Sequence, residues 1–327
     1  MRPLRIGTRG SALALWQART VAAALELAGT AVELVTITTR GDARQDAPLT
    51  AIGGKGVFVT EIHDAMRRGD IDVAVHSAKD MAAVSPEGLM IAAVLAREDP
   101  RDTFVFRAGS RERPSPVGSP EGLRSTSEAD GRVAQPFRAA LPSAPLIGTG
   151  SPRRIAQLRQ SYPEARFEPI RGNVDTRLRK LDAGEVDALV LACAGLRRLG
   201  LADRISQGLP LDGCVPAPGQ GIIAIEVRED DAHARVVVAA LNDAPSRSAL
   251  AAEQAVVAAL GGGCHLPLGA FAQVTDGRIH VRAVAASLDG TRTVHAHATG
   301  AEADAAGTGA RVAQDLASRG AMELLHS

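Results

Sequence analysis

Short aliphatic runs of strand length alternate with longer amphipathic stretches along most of this chain, and that rhythm restricts it to architectures that lay helices against a sheet. LRIGT is followed by a helical pattern over 11–28, VELVTITT by one over 56–69, and IDVAVHS and LMIAAVL complete the first block. The pattern resumes after residue 145 with PLIGT, a helix from about 152, ARFEPI, a helix over 174–183, VDALVLA, a helix to about 199, and IIAIEVR. Each block predicts an α/β lobe built on a largely parallel sheet. From about 246 the order changes to one long helix, a glycine turn, three strand-like runs (267–275, 278–287, 292–299) and a final helix at 303–319. That order predicts a smaller α+β unit. With 327 residues, 45% of them hydrophobic, the chain can bury more than one core. Residues 107–145 are rich in Pro, Ser, Gly and Arg without sustained periodicity, and read as an irregular insert.

Composition removes several classes of function. Lys+Arg and Asp+Glu both total 37, so the formal charge is zero and the electrostatic footprint of a nucleic-acid binder is missing. Aromatic residues make up 2%, too few for extended stacking platforms. No apolar run is long enough to span a membrane, and MRPLRIGTRGS opens on a strand with no apolar signal core, which leads us to expect a cytoplasmic protein without a membrane partner. Cys193, Cys214 and Cys264 are odd in number and lack metal-ligand spacing, so neither a disulfide framework nor a metal site is expected. Only Lys55, Lys79 and Lys180 are lysines among the 37 basic residues, so an arginine here is informative by position, not by abundance.

Position does single out several. Ser11 precedes an amphipathic run and reads as a helix N-cap, with Arg9 beside a helix start that presents free N–H groups. GGKG, residues 53–56, lacks the Ser or Thr that a phosphate loop needs after it, and reads instead as a mobile glycine loop that closes over a ligand. DVAVHSAKDM sets His76, Ser77, Lys79 and Asp80 just past a strand's carboxyl end, where open α/β sheets bind ligands. A capping box between Ser77 and Asp80 accounts for two of these residues and leaves the lysine unexplained. A carboxylate held there beside a cation could stabilise positive charge developing on a substrate nitrogen. PLIGTGSPRR repeats the layout, with Ser151 as N-cap, Pro152 at the first helical position and Arg153 and Arg154 in a turn where cations oppose the helix dipole unless an anion is present. RGNVDTR adds Arg171, an N-cap at Asn173 and Arg177, and AGLRRLG adds Arg198. Arginines at successive strand ends outline a cleft for a polycarboxylate. In LGGGCHLPLG, the residues alone favour Cys264 as a small buried hydrophobe in a helix-to-strand turn over a thiol exposed among glycines.

Taken in order, TRGSALALWQA, GGKGVFVTEI, DVAVHSAKDM, TGSPRR, RGNVDTRL, AGLRRLGL, PAPGQG and LGGGCHLPLG strongly resemble the porphobilinogen deaminase (hydroxymethylbilane synthase) family. The resemblance implies two lobes of the type II periplasmic-binding-protein kind and a smaller α+β third domain. The implied domains are 1–97 with 219–242, 98–218, and 243–327. It implies a covalent dipyrromethane cofactor on Cys264, a monomer, and four porphobilinogen molecules joined head to tail with loss of ammonia to give hydroxymethylbilane. Asp80 takes the place of the catalytic aspartate that stabilises the cation. Arg9, Ser11, Ser77, Lys79, Thr149, Ser151, Arg153, Arg154, Arg171, Gly172, Arg177, Arg198 and Gln220 match positions that bind the carboxylate side chains or adjoin them. Asp42 and Phe58 match residues lining the cleft, and Gly53, Gly54, Lys55 and Gly56 match its lid.

Three departures qualify the match. Ala51 stands where the family often carries a lysine, and TGSPRR replaces a hydroxyl with Gly150 and introduces Pro152. The 107–145 stretch is longer than family spacing leads us to expect. Two other readings of the same residues are an inactive paralogue and a two-lobe carboxylate-binding protein.

Overall fold

The computed structural model describes residues 2–39, 59–108, 141–261 and 266–326. Three sheets organise these segments. The first has the order β2-β1-β3-β10-β4, built from β1 (Leu4–Thr8), β2 (Val32–Thr36), β3 (Val73–Ser77), β4 (Leu89–Val94) and β10 (Ile223–Arg228). The second has the order β7-β6-β8-β5-β9, from β5 (Asp102–Phe106), β6 (Leu146–Gly148), β7 (Arg166–Glu168), β8 (Ala188–Ala192) and β9 (Gln207–Gly208). The two share a plan. Three strands run parallel, and a fourth lies antiparallel against the third.

Both sheets are largely parallel, as expected, with one strand in each running against the other four. β10 pairs antiparallel with both β3 and β4, and β5 antiparallel with both β8 and β9. The chain leaves the first sheet after β4 to supply β5 to the second, and returns after β9 to supply β10 to the first. DTFVF, absent from the runs picked out above, is this crossover strand, and it is buried along its whole length. Strands buried on both faces show no alternation, so period alone does not mark them.

Helices cover the sheets where apolar spacing and caps put them. α1 (Ala12–Leu27) starts at Ser11, whose hydroxyl accepts from the Ala14 backbone N–H. It lays Ala18, Val21 and Leu25 on a face of the first sheet formed by Leu4, Ile6, Val73, Val75, Ile223 and Ile225. α2 (Thr60–Arg67) covers the opposite face through Ile62, Ala65 and Met66. In the second sheet α3 (Pro152–Ser161) begins on Ser151 with Pro152 in its first turn, and α4 (Val174–Asp182) and α5 (Cys193–Arg198) follow β7 and β8. The short helix α6 (Ala232–Ala239), which the sequence reading does not single out, packs Ala234 and Val238 on the first sheet.

The last unit is a meander of β11 (Leu268–Thr275), β12 (Arg278–Ala286) and β13 (Thr293–Ala301), antiparallel throughout. α7 (Ala244–Ala259) and α8 (Ala305–Ser318) share a core with it through Ala252, Val256, Val281 and Val312, and a short α9 (Ala321–His326) closes it. No helix among the described residues is long and apolar enough to cross a membrane.

Candidate active site

β3 delivers its last residue, Ser77, to a single 3-10 turn formed by Ala78, Lys79 and Asp80. The capping box expected here does not form. Ser77 makes no cap bond, and its hydroxyl instead accepts from Gln17 Nε2 of α1 at 2.8 Å. The hydroxyl is taken by the helix packed alongside. The turn is braced from behind: Ala78 donates its backbone N–H to Ile222, and Gly219 sits at φ 73 with the position of a missing Cβ only 2.8 Å from the Ala78 side chain. The return crossover therefore presses directly against the segment that carries Asp80.

The second lobe presents the matching edge. Thr149 and Ser151 follow β6, the Thr149 hydroxyl accepting from the Ser151 N–H and the Ser151 hydroxyl from the Arg154 N–H. Arg153 and Arg154 are buried, and both face Asp102, the first residue of β5. Arg153 Nη2 lies 2.8 Å from Asp102 Oδ2, and Arg154 Nη2 lies 2.8 Å from Oδ1. Their remaining donors go to the carbonyls of Val215 and Val190, and Gln220 Nε2 donates to Asp102 Oδ1 and to Pro100. The anion that the first-turn arginines require is thus supplied by the protein itself. The sequence reading passed over Asp102. An acidic residue opening an unbroken apolar strand was its one signal, because a carboxylate buried there must be paired.

One carboxylate does not neutralise two guanidiniums, and the surplus positive charge reaches across to the other lobe. Burial is the main force lowering the Lys79 ammonium, to about 8, with Arg154 and Arg153 pushing the same way and Asp80 and Asp102 opposing. Arg177 is lowered to about 10 by burial first, then by Arg154 and Arg171, with Asp80 again opposing. Its Nε donates to the carbonyl of Gly172, which holds φ 103. Burial pushes Asp102 up as well, but the two arginines more than reverse this and hold it well below the usual carboxylate range. Lys79, Asp80, Arg153, Arg154, Arg171 and Arg177 therefore form one electrostatic group across the two lobes, five cations and Asp80, with Asp102 beneath.

Other expected positions lie around this group. Arg9 is half-buried in the turn between β1 and Ser11. Asn173 stands at the N-cap of α4 without a side-chain cap bond. Arg198 is occupied internally: Nη2 donates to the Gly221 carbonyl at 2.6 Å, and the guanidinium lies 5.9 Å from the centre of the Trp16 ring. Gln220 belongs to the crossover that supports Asp102. Asp42, Gly53, Gly54, Lys55, Gly56, Phe58 and Cys264, together with Ala51 and most of the 107–145 insert, lie outside the described residues.

Comparison with known proteins accounts for this arrangement. Residues 4–236 match the family model described as porphobilinogen deaminase, dipyromethane cofactor binding domain, and residues 248–318 match its C-terminal domain. A porphobilinogen deaminase of Acidithiobacillus ferrooxidans is 46% identical over 324 residues, covering 98% of this chain and 97% of the relative. One of Syntrophomonas wolfei is 41% identical over 327 residues, covering 99% and 98%. Among solved structures the chain is similar to a YaeC-family lipoprotein from Enterococcus faecalis (TM-score 0.38, 11% identity, 74% of this chain and 91% of that one). It is also similar to a nutrient-binding protein from Burkholderia cenocepacia bound to methionine (TM-score 0.40, 12% identity, 72% and 90%). Matches that run through both lobes and the last unit make this chain a member of the porphobilinogen deaminase family.

Proposed function

We propose that this chain is the transferase that deaminates porphobilinogen and joins four molecules head to tail on a dipyrromethane primer held by Cys264, releasing hydroxymethylbilane. The observation that carries the reading is the group of cations brought together from the two lobes, Lys79, Arg153, Arg154, Arg171 and Arg177, which outnumber the carboxylates coupled to them among the described residues, Asp80 and Asp102. A solute with one or two carboxylates needs fewer cations. A growing chain of pyrroles, each carrying an acetate and a propionate, requires many, and its carboxylates offset the repulsion that adds to burial in lowering Lys79 and Arg177. The donor set thus fits a polycarboxylate primer.

When bound, the dipyrromethane supplies the nucleophilic pyrrole carbon at which the product grows. The protein's own groups do the rest. Arginine forks and the Lys79 ammonium orient the carboxylates, and Asp80 accepts the pyrrole N–H and stabilises the positive charge that develops as the C–N bond breaks and ammonia leaves. Arg9 and Ser11 extend the same surface at the start of α1. Gly53, Gly54, Lys55 and Gly56 form the lid in this reading, with Asp42 and Phe58 on the cleft side. The domains divide at 1–97 with 219–242, 98–218 and 243–327, and the protein works as a cytoplasmic monomer.

Intact mass under denaturing conditions tests the proposal. The native chain is expected to carry the mass of two linked pyrrole units that a Cys264→Ala variant lacks. A chain that stays bare after incubation with porphobilinogen refutes it in favour of an inactive paralogue. A second test addresses chemistry alone: Asp80→Asn should retain the fold and lose turnover, and substantial activity in that variant would remove Asp80 from its role.

A further inference from the structure

The face of the first sheet beneath α2 is aliphatic around one buried polar cluster. Ile62, Ala65 and Met66 pack there against Ile71, Ala74 and Leu89. In the antiparallel pairing of β3 with β10, His76 stands opposite Ala224 and Glu226 opposite Ala74. Alternate residues share a face, so His76 and Glu226 are diagonal neighbours on the side that α2 covers. His63 of α2 meets them from above. The Nε2 atoms of His63 and His76 lie 2.9 and 3.3 Å from a single carboxylate oxygen, Oε2 of Glu226. All three side chains are buried, Glu226 completely.

Polar atoms at this depth are ordinarily hydrogen-bonded. Here both Nε2 atoms and both carboxylate oxygens of Glu226 complete no hydrogen bond, although the two Nε2 atoms stand within hydrogen-bonding range of Oε2. The ring nitrogens therefore do not aim along the lines that join them to the oxygen. Donor atoms take up that relation when they converge on a common centre: around a tetrahedral ion with bonds of about 2.0–2.1 Å, neighbouring ligand atoms stand roughly 3.3 Å apart. One ligand atom from each residue falls within 4.8 Å of the others. Two imidazole nitrogens and one carboxylate oxygen suit zinc and its neighbours, whereas calcium and magnesium take oxygen donors.

We propose that His63, His76 and Glu226 form a buried site for one divalent transition-metal ion of the zinc class. The ion would tie α2 to the central strands of the first sheet. His76 immediately precedes Ser77 and the turn that carries Lys79 and Asp80, so the tie fixes the end of β3 from which the cleft is built. Its role is positioning: the cluster lies on the sheet face and not among the cleft cations. A His63-to-His76 spacing of 13 residues, completed by an acid more than a hundred residues later, matches no local metal motif, and the sequence gives no warning of it.

The test uses the full chain, equilibrated with zinc or cobalt(II) and then desalted, with bound metal measured by mass spectrometry. Wild type is expected to retain about one equivalent and to give the visible bands of a low-symmetry cobalt site. His63→Gln keeps a hydrogen-bonding side chain but removes the ligand, and it should cut retention at least tenfold and abolish the bands. His63→Ala, which favours the helix, serves as a second variant should the first fold poorly. Zinc should also raise the melting temperature of wild type and leave both variants unmoved. Failure of wild type to retain metal overturns the proposal and makes the cluster a buried ion-paired triad. Retention and bands unchanged in the His63 variants overturn it too, and move the metal elsewhere, for instance to the exposed His295 and His297 on β13.

Discussion

Asp102 supports the candidate site from below the surface: among the described residues it is the buried counter-charge shared by Arg153 and Arg154. Removing one partner from a buried ion pair leaves the other uncompensated, so Asp102→Asn should cost roughly 3–5 kcal/mol, read from the midpoint of urea unfolding. A loss under about 1 kcal/mol would show that Arg153 and Arg154 find other partners. The pH dependence has a definite sign. A carboxyl held below its ordinary value contributes stability that is fully present above about pH 4 and is lost as the pH falls further, and Asp102→Asn should flatten that acid limb. Asp72, held low by Arg2 and Arg5 despite burial, keeps part of it. Lys79 has the opposite sign. Its folded value of about 8 lies under the ordinary lysine value, so the ammonium opposes folding at neutral pH and the penalty fades as the pH rises from about 8 toward 10.4. Carboxylates in the cleft should raise it again. The methyl resonances of reductively methylated lysines in Cys264→Ala protein, with and without a polycarboxylate ligand, should show Lys79 rising by about one unit or more, and no movement would place Lys79 outside the binding surface.

At the scale of elements, the sequence made visible those features whose cause is local. Ser11 and Ser151 announce α1 and α3 because the cap acts within one turn, and the antiparallel meander reads from its alternation and turns. β5 and α6 were hidden for a different reason. One is buried on both faces, and the other is short and takes its definition from the sheet beneath it. Site residues divide in the same way: Lys79, Asp80 and the arginines are visible at strand ends, while Asp102, Gln17 and Glu226 acquire their partners only through contacts far along the chain. Glycine at position 309 shows how packing overrides propensity. In α8 it faces the backbone carbonyl of Ala252 in α7, and an added Cβ would collide with that carbonyl. Alanine should gain up to about 1 kcal/mol in helix propensity, yet overpacking against backbone costs about 1–3 kcal/mol, so Gly309→Ala is expected to lower the melting temperature. A rise would mean that α7 and α8 can separate without cost.

Over the whole molecule, the two exchanged strands and one buried glutamate decide how the parts hold together. Glu253 of α7 accepts from Arg97 Nη2 at 2.7 Å, from the Gly219 N–H at 2.6 Å and from the Ala272 N–H at 2.7 Å. Arg97 stands just after β4, where the chain leaves the first sheet, and Gly219 lies on the return; the Arg97 guanidinium also donates to the carbonyls of Gln220 and Ala272. One carboxylate thus joins both crossovers to the last unit, the part that contains Cys264. Burial raises Glu253, with Arg97 and the two backbone donors opposing, so its charge depends on all three contacts together. Glu253→Ala removes the acceptor from a buried guanidinium and two backbone N–H groups, and should cost about 3–5 kcal/mol. That loss should also be uneven, because the last unit has its own core and only its attachment is broken. The single tryptophan, Trp16 in α1, reports the first lobe. In wild type its fluorescence and the circular dichroism should follow one urea transition, and in Glu253→Ala the dichroism should begin to fall at lower urea than the fluorescence. Coincident transitions in the variant would show that the last unit is held by its wider contact with the lobes, and that the glutamate contributes stability without setting cooperativity.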